Sequence, residues 1–546
     1  MLKRVIVLLA AAAGCGFGQH SHPPDAASNG PAPLLDGLGR LHHPVTTVNP
    51  EAQRYFDQGL TLIYAFNHDE AARSFRYAAL IDPQCAMAFW GIALAVGPNY
   101  NDPDIDMSRE KAAVESIQKA QAVSTKITEN EQGYINALAK RYSTDPKADR
   151  KKLGEDYKQA MGDLMRRFPD DLDAAVMYAE SAMDLRPWQL WTSDGKPAEG
   201  TLEIVEVLEG VLKRAPDHIG ANHYYVHATE ASPHPELASP SAERLKTLAP
   251  AAGHLVHMPA HTYIRTGDYH SASVANEKAA EADEVYVKKY HITGMYPVMY
   301  YSHNLHFLAV SSSMEGNFAT AHSAAERVVA GMQPYLKENP MAEWFVPTRT
   351  QVLVRFRRWA EIEKSPEPDK ALHLAHAHWL FARGMAFSAT RRPERAMAVR
   401  NALIAETKAI PAGTMLGMNT AHQVLEIARL MLEASIARSG HDNKLAGEFL
   451  VQAVKAEDAL NYDEPPDWYL PPRETLGALL FAEGKHSEAE AVFRAELNSH
   501  SKNPRALFGL AECLKAQNKG EEAGKVRAEF EAGWKYSDTR LSMADR

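Results

Sequence analysis

Residues 52–85 read AQRYFDQGLTLIYAFNHDEAARSFRYAALIDPQC, and the spacing inside this stretch decides the fold. Gly59 lies in a first run of helical periodicity, Ala71 follows twelve residues later, and Phe75, Ala78 and Pro83 complete the unit. Apolar and small residues recurring at three and four residues predict two helices joined by a short turn. The helices must cross closely where Gly59 and Ala71 lie, Phe75 fills the groove between them, and Pro83 ends the second helix by lacking an N–H.

The same unit recurs. Near the C-terminus it reappears as Gly477, Ala489 and Phe493, and more loosely as Gly509 with Ala523, while Pro216 and Pro250, like Ala238 and Ala272, are 34 residues apart. Nothing alternates with a strand's period of two. The unit resembles the tetratricopeptide repeat, a helix–turn–helix module of about 34 residues. The expected fold is therefore all-α: a tetratricopeptide-type helical repeat solenoid, or superhelix, over residues 51–535, followed by a tail at 536–546. Such arrays bury apolar faces between neighbouring units and line a concave side with the first helix of each pair. Three longer, aromatic- and proline-rich stretches interrupt the period: 97–106, 186–200 with Trp188 and Trp191, and 462–474 with Trp468 and Tyr469. They read either as covers over the concave groove or as ordinary packed loops. On the first reading Trp188, Trp191, Trp468 and Tyr469 are ligand-binding candidates.

The chain has 546 residues, 69 acidic against 59 basic, for a net charge of −10. No segment is strongly basic, so nucleic acid is not the expected partner, because duplex affinity rests on clustered Lys and Arg. A hydrophobic share of 45% with 23% charged residues belongs to a folded chain. Cys15, Cys85 and Cys513 are too few for a disulfide framework or a thiolate metal site, so any metal would rest on His and carboxylates. Cys85 and Cys513, among apolar neighbours, read as buried inert thiols.

Lys3 and Arg4 precede the apolar run Val5–Ala13, too short to cross a bilayer, which is the pattern of a secretory signal peptide. Residues 1–18 are assigned to it. Ala12-Ala13-Gly14-Cys15 resembles a lipobox, which would leave Cys15 acylated as a lipid anchor. The expected location is the bacterial periplasm or an outer-membrane lipoprotein, less readily a secreted one, and no transmembrane helix is expected in the mature chain. Residues 19–50, rich in Gly, Pro, Ser and His, read as a flexible tether; His20, His22, His42 and His43 there are ascribed to tether composition.

The whole chain is similar to a group of exported bacterial tetratricopeptide proteins. The likeness rests on Phe66-Asn67-His68-Asp69-Glu70-Ala71, Trp90-Gly91, Gly97-Pro98-Asn99-Tyr100-Asn101, His257-Met258-Pro259-Ala260-His261 and Tyr301-Ser302-His303-Asn304-Leu305-His306. It implies fold and compartment and leaves the function open.

Histidine, at 24 residues, clusters in register. His254, His257 and His261 lie 18, 15 and 11 residues before Ala272, on one face of a first helix. One repeat earlier His223, His227 and Glu230 lie 15, 11 and 8 residues before Ala238. In the next repeat, anchored at Ala321, His303 and His306 lie 18 and 15 residues before it. Seven imidazoles and one carboxylate thus face one side of three adjacent helices. Helix axes about 8–10 Å apart let imidazoles from neighbours meet on one ion. Zinc, copper or iron suits this donor set. Convergence of His227, His257 and His306 within about 3–5 Å is the expected signature, given metal–ligand bonds near 2 Å. Donors for a bound peptide and plain structural hydrogen bonding are the other readings of the same stripes.

His373 and His376, beside His378 and Trp379, read as a packed helix, and Asp463-Glu464 between prolines as a solvated loop. The chain contains no standard phosphate-binding loop, no H-E-x-x-H and no G-x-S-x-G. The expected function is an exported solenoid holding a partner segment or small ligand in its concave groove, with a His-rich transition-metal site. The alternative is a metalloenzyme, hydrolase or oxidoreductase, in which Glu230 is a ligand or general base. The third is metal storage or delivery.

Overall fold

The computed structural model describes residues 32–543, so the expected signal peptide at 1–18, Cys15, His20 and His22 lie outside the described residues. From Pro50 to Gly533 the chain is a succession of helix pairs, each helix packing chiefly on its neighbours in sequence. The single two-stranded ribbon among the described residues pairs Met415–Leu416 with Asn419–Thr420.

The opening pair is Pro50–Tyr64 and His68–Ile81. A Cβ placed on Gly59 would stand 2.6 Å from the Phe75 ring, and one on Gly91, in the next first helix, 2.4 Å from it. Phe75 is therefore clamped between two glycines of successive repeats, and Phe493 is clamped in the same way between Gly477 and Gly509. The turns inside the pairs follow one recipe. A residue at positive φ (Phe66, Gly267, Gly316 or His441) is followed by Asn67, Asp268, Asn317 or Asp442, whose side chain accepts the N–H three residues on.

First helices form the inner layer. Every residue of Ile219–Glu230 is buried, whereas in the outer helix Pro393–Ala409 only Ala396 and Leu403 are. The superhelix is wound tightly enough for distant repeats to touch. Tyr286 Oη donates to Glu70 at 3.2 Å, Tyr269 Oη to the Ser501 carbonyl at 2.9 Å, and Tyr462 Oη to Glu230 at 3.2 Å. The concave side consequently encloses a cavity of about 1330 Å³.

One expectation about the ends changes. Residues 32–49 are a fitted strap rather than a tether: Tyr55 Oη donates to the Ala32 carbonyl, Ala251 N–H to the Gly37 carbonyl, and Gly39 (φ +86°) passes so close to the Leu248 carbonyl that a Cβ would stand 2.4 Å from it. His43 is buried, with Nδ1 2.7 Å from Asp173. At the other end residues 536–538 are docked, since Tyr536 stacks on His270 and Asp538 accepts the N–H groups of Phe318 and Ala319. No helix among the described residues is long and apolar enough to cross a membrane.

Candidate metal centre

Three inner helical segments carry the histidines: Ile219–Glu230, the broken helix Gly253–His257 and Pro259–Thr266, and Ser302–Glu315 behind a wide π turn at Pro297–Tyr301. Their ligating atoms fall into two triads, whose rings adjoin, His227 to His261 at 5.4 Å and His254 to His257 at 5.7 Å between centroids. His223, His227 and His254 form one, and His257, His261 and His303 the other, with the ligating atoms inside each group within 4.8 Å of one another. His254 Nε2 is 3.1 Å from His223 Nε2, His257 Nε2 is 2.8 Å from His261 Nε2, and His303 Nε2 is 3.2 Å from His257 Nε2. All are buried except His303, which is partly exposed.

Groups behind the rings fix which nitrogen is free. His223 Nδ1 lies 2.6 Å from the Tyr64 carbonyl, so it carries the hydrogen and leaves Nε2 bare. His257 Nδ1 lies 2.6 Å from Asn276 Oδ1, while the Asn276 amide is spent on the Ala272 carbonyl; the same tautomer follows. Glu230 serves both triads: one oxygen is 2.7 Å from His227 Nδ1 and the other 2.5 Å from His261 Nδ1. His227 Nε2 is buried with no hydrogen-bond partner. Phe66 lies nearly parallel to His227 and His254 and edge-on to His223, sealing the first triad on its far side.

The electrostatics keep most of these rings neutral, as metal ligation requires. Burial, reinforced by neighbouring imidazoles, holds His223, His254, His257 and His303 well below the ordinary histidine range. Burial lowers His227 as well, against the pull of Glu230. Burial would also lower His261, but Glu230 outweighs it and raises this ring. Burial raises the Glu230 carboxyl, and the His261 and His227 imidazoles more than reverse that, leaving it well below the usual carboxylate range.

Several sequence candidates stand elsewhere. His306 joins neither triad; it faces the Phe345 and Tyr469 rings, so the expected meeting of His227, His257 and His306 is replaced by the two triads. Glu230 holds imidazole Nδ1 atoms from behind instead of joining the ring of free Nε2 atoms. Of the four aromatic candidates only Trp188 lines the cavity, against Tyr100 and His227. Trp191 donates to the Ala228 carbonyl, Trp468 packs on Phe381 and donates to the Leu470 carbonyl, and Tyr469 donates to the Thr348 carbonyl, all within the packed protein. Asp463 and Glu464 are not a solvated loop. Both line the cavity with Asp467, Glu464 is 6% exposed, and burial raises its carboxyl to about 7 despite Arg265. Asn276, Tyr462 and the Tyr64 carbonyl are site components that residue spacing did not point to. All three interruptions contribute to the cavity wall, through residues 99–103, Trp188 and residues 463–467.

What the arrangement offers is two nests of imidazole nitrogens, in each of which two rings are oriented by acceptors behind them, beside a cavity large enough for a small molecule. A peptide-binding groove presents exposed donors along an open face, and these imidazoles are turned toward one another instead.

Residues 480–526 match the tetratricopeptide repeat family. Among solved structures, the human IFIT1 dimer with m7Gppp-AAAA is 13% identical over 89% of this chain and 91% of that one, with a TM-score of 0.32. Yeast Tom70 is 12% identical over 89% and 91%, with a TM-score of 0.28, and the P58(IPK) TPR domain 9% over 86% and 99%, with a TM-score of 0.21. These overall likenesses are too distant to carry an argument about function. No curated protein matches the sequence. Residues 480–526 thus carry a tetratricopeptide repeat, and the helix pairs with their Gly–Phe–Gly clamps extend the same helix–turn–helix architecture along an all-α repeat solenoid.

Proposed function

We propose that the protein is an exported solenoid whose concave side holds transition-metal ions on His223, His227, His254, His257, His261 and His303, with a small ligand or partner segment admitted to the adjoining cavity. The observation that carries this reading is the pair His257 and His261. Each ring has its Nδ1 hydrogen committed to an acceptor, so two bare Nε2 lone pairs face one another at 2.8 Å inside the protein. Opposed lone pairs repel unless a cation or a proton lies between them, and an imidazole site with oriented rings suits zinc, copper or iron. Export rests on the N-terminal pattern of Lys3, Arg4 and the apolar run Val5–Ala13, and Cys15 would supply the lipid anchor.

A second reading, a metalloenzyme, is favoured by the enclosure of the cavity. Trp188 and Tyr100 adjoin His227, and Asp463 and Glu464, which line the same cavity, lie close enough to His261 to raise it, so a small molecule bound there would sit between aromatic rings and carboxylates beside the donors.

The test is elemental analysis of the purified chain against the His227→Ala/His257→Ala double variant. Metal in the wild type and its loss from the variant is the expected result. Equal metal content in both removes the reading.

A further inference from the structure

We infer that the two triads are one binuclear centre whose ions load cooperatively through Glu230. This rests on the metal reading above and adds to it the number of ions and their coupling.

One ion cannot use all six rings. On a helix rising 1.5 Å per residue, His254 and His261 are about 10.5 Å apart along the axis, whereas donors on one ion lie within about 4 Å of each other, given bonds of 2.0–2.1 Å. The rings accordingly sort three and three.

The coupling lies in the carboxylate. For His227 to offer Nε2 in the first triad, its Nδ1 must donate to Glu230; for His261 to offer Nε2 in the second, its Nδ1 must donate to the other oxygen of that same carboxylate. Both side chains of each contact are about 1% exposed, so no water substitutes for Glu230. An ion on either triad fixes one imidazole, that imidazole fixes the carboxylate, and the carboxylate presents its second oxygen to the ring of the other triad. Tyr462, donating to the oxygen that also serves His261, holds this orientation from the loop at 462–467. Glu230 is thus a positioning residue shared by two sites. Its contrast is Asn276, which orients His257 in the second triad only.

Glutamine cannot replace it. The carboxylate presents two acceptors to two N–H donors, while an amide presents one acceptor and one donor, so in Glu230→Gln one of His227 and His261 must turn its free lone pair inward and lose its site.

The experiment is equilibrium dialysis of the full chain, stripped with chelator, against zinc, with bound zinc measured per chain. The wild type is expected to take up two zinc ions with a Hill coefficient clearly above 1. Glu230→Gln should hold at most one, with no cooperativity, and Asn276→Ala should weaken the second ion and, through the coupling, the first by roughly five- to ten-fold. If Glu230→Gln does not fold, as judged by circular dichroism, the wild-type isotherm and Asn276→Ala still decide. A wild type that binds one ion, or two ions independently, overturns the inference and leaves the metal reading standing. So do two zinc ions retained cooperatively in a folded Glu230→Gln protein, or an unaltered first ion in Asn276→Ala. No zinc on the wild type overturns the inference, and the elemental analysis above then decides the metal reading separately.

Discussion

His257 and His261 sit one helical turn apart across the Met258–Pro259 break, and their Nε2 atoms are 2.8 Å apart with each ring's hydrogen already given away at Nδ1. The space between them suits a cation or a shared proton, and although burial would lower the proton affinity of His261, Glu230 raises it. An ion bound there ties the two rings together and binds the folded chain only. Zinc should therefore stabilise the folded chain. At a free concentration about a hundred times the dissociation constant, one site contributes about 2.7 kcal/mol. His257→Gln, which leaves an amide in place of one lone pair, should lose at least half of the zinc-dependent rise in melting temperature. Scanning calorimetry with zinc and with chelator checks this, and a wild type indifferent to zinc contradicts it.

The stripes of histidine were readable because a helix repeats its faces every three or four residues, and the anchors Ala238, Ala272 and Ala321 put three helices in register. Spacing on one helix does not say how far a neighbouring helix has slid, so His306 was grouped with its partner His303 although it lies a turn further along and ends among Phe345 and Tyr469. The rise per residue alone separates His254 from His261, but does not say which of them His257 joins. Asn276 and Tyr462 could not be read from spacing, since they arrive from an outer helix and from a loop 232 residues beyond Glu230. Asp463-Glu464 reads as solvated because acids beside prolines normally face water; here the winding of the superhelix lays Tyr462 on Glu230 and turns both acids to the cavity wall. Likewise Gly and Pro at 32–49 signal turns, and only tertiary contacts make those turns a strap.

Arg355 supports that winding from the inside. Its guanidinium donates to the Ser313 carbonyl at 3.0 Å, the Tyr469 carbonyl at 3.1 Å and Glu474 at 3.3 Å, joining segments that lie more than a hundred residues apart. Breaking a buried ion pair by removing one partner costs about 3–5 kcal/mol. Asn503 also donates to Glu474, so Arg355→Met should fall near the lower end, about 3 kcal/mol. Urea unfolding should show the midpoint drop, and a midpoint within error of wild type would contradict the role given to Arg355.

His500 makes stability fall with pH. Burial would lower its pKa, but Glu496 at 2.8 Å, with Glu457 and Glu474 behind it, raises it to about 9. A group bound more tightly to its proton in the folded state stabilises fully below the unfolded value of about 6.5, and the gain is lost as pH rises through 9. The wild type should therefore lose roughly 2–3 kcal/mol between these limits relative to His500→Asn, a figure set by the pKa difference and reduced for partial exposure. Chemical denaturation at pH 6 and pH 9 measures it. Parallel losses in both proteins would count against the assignment.

The Gly–Phe–Gly clamp makes a sharper claim about the scaffold. A Cβ at Gly91 would lie 2.4 Å from the Phe75 ring, which is wholly buried and has Gly59 against its other face, so the ring cannot move aside. Gly91→Ala should cost about 1–3 kcal/mol by overpacking, even though alanine favours a helix. Gly524 in the last helix, where an added Cβ meets nothing within 4 Å, is the control, and Gly524→Ala should stabilise by about 0.5–1 kcal/mol. Trimming the ring in a Phe75→Leu/Gly91→Ala double variant should recover part of the Gly91→Ala loss, because the two positions contend for one space. Strict additivity of the two single losses would mean that the glycine is there for some reason other than the ring.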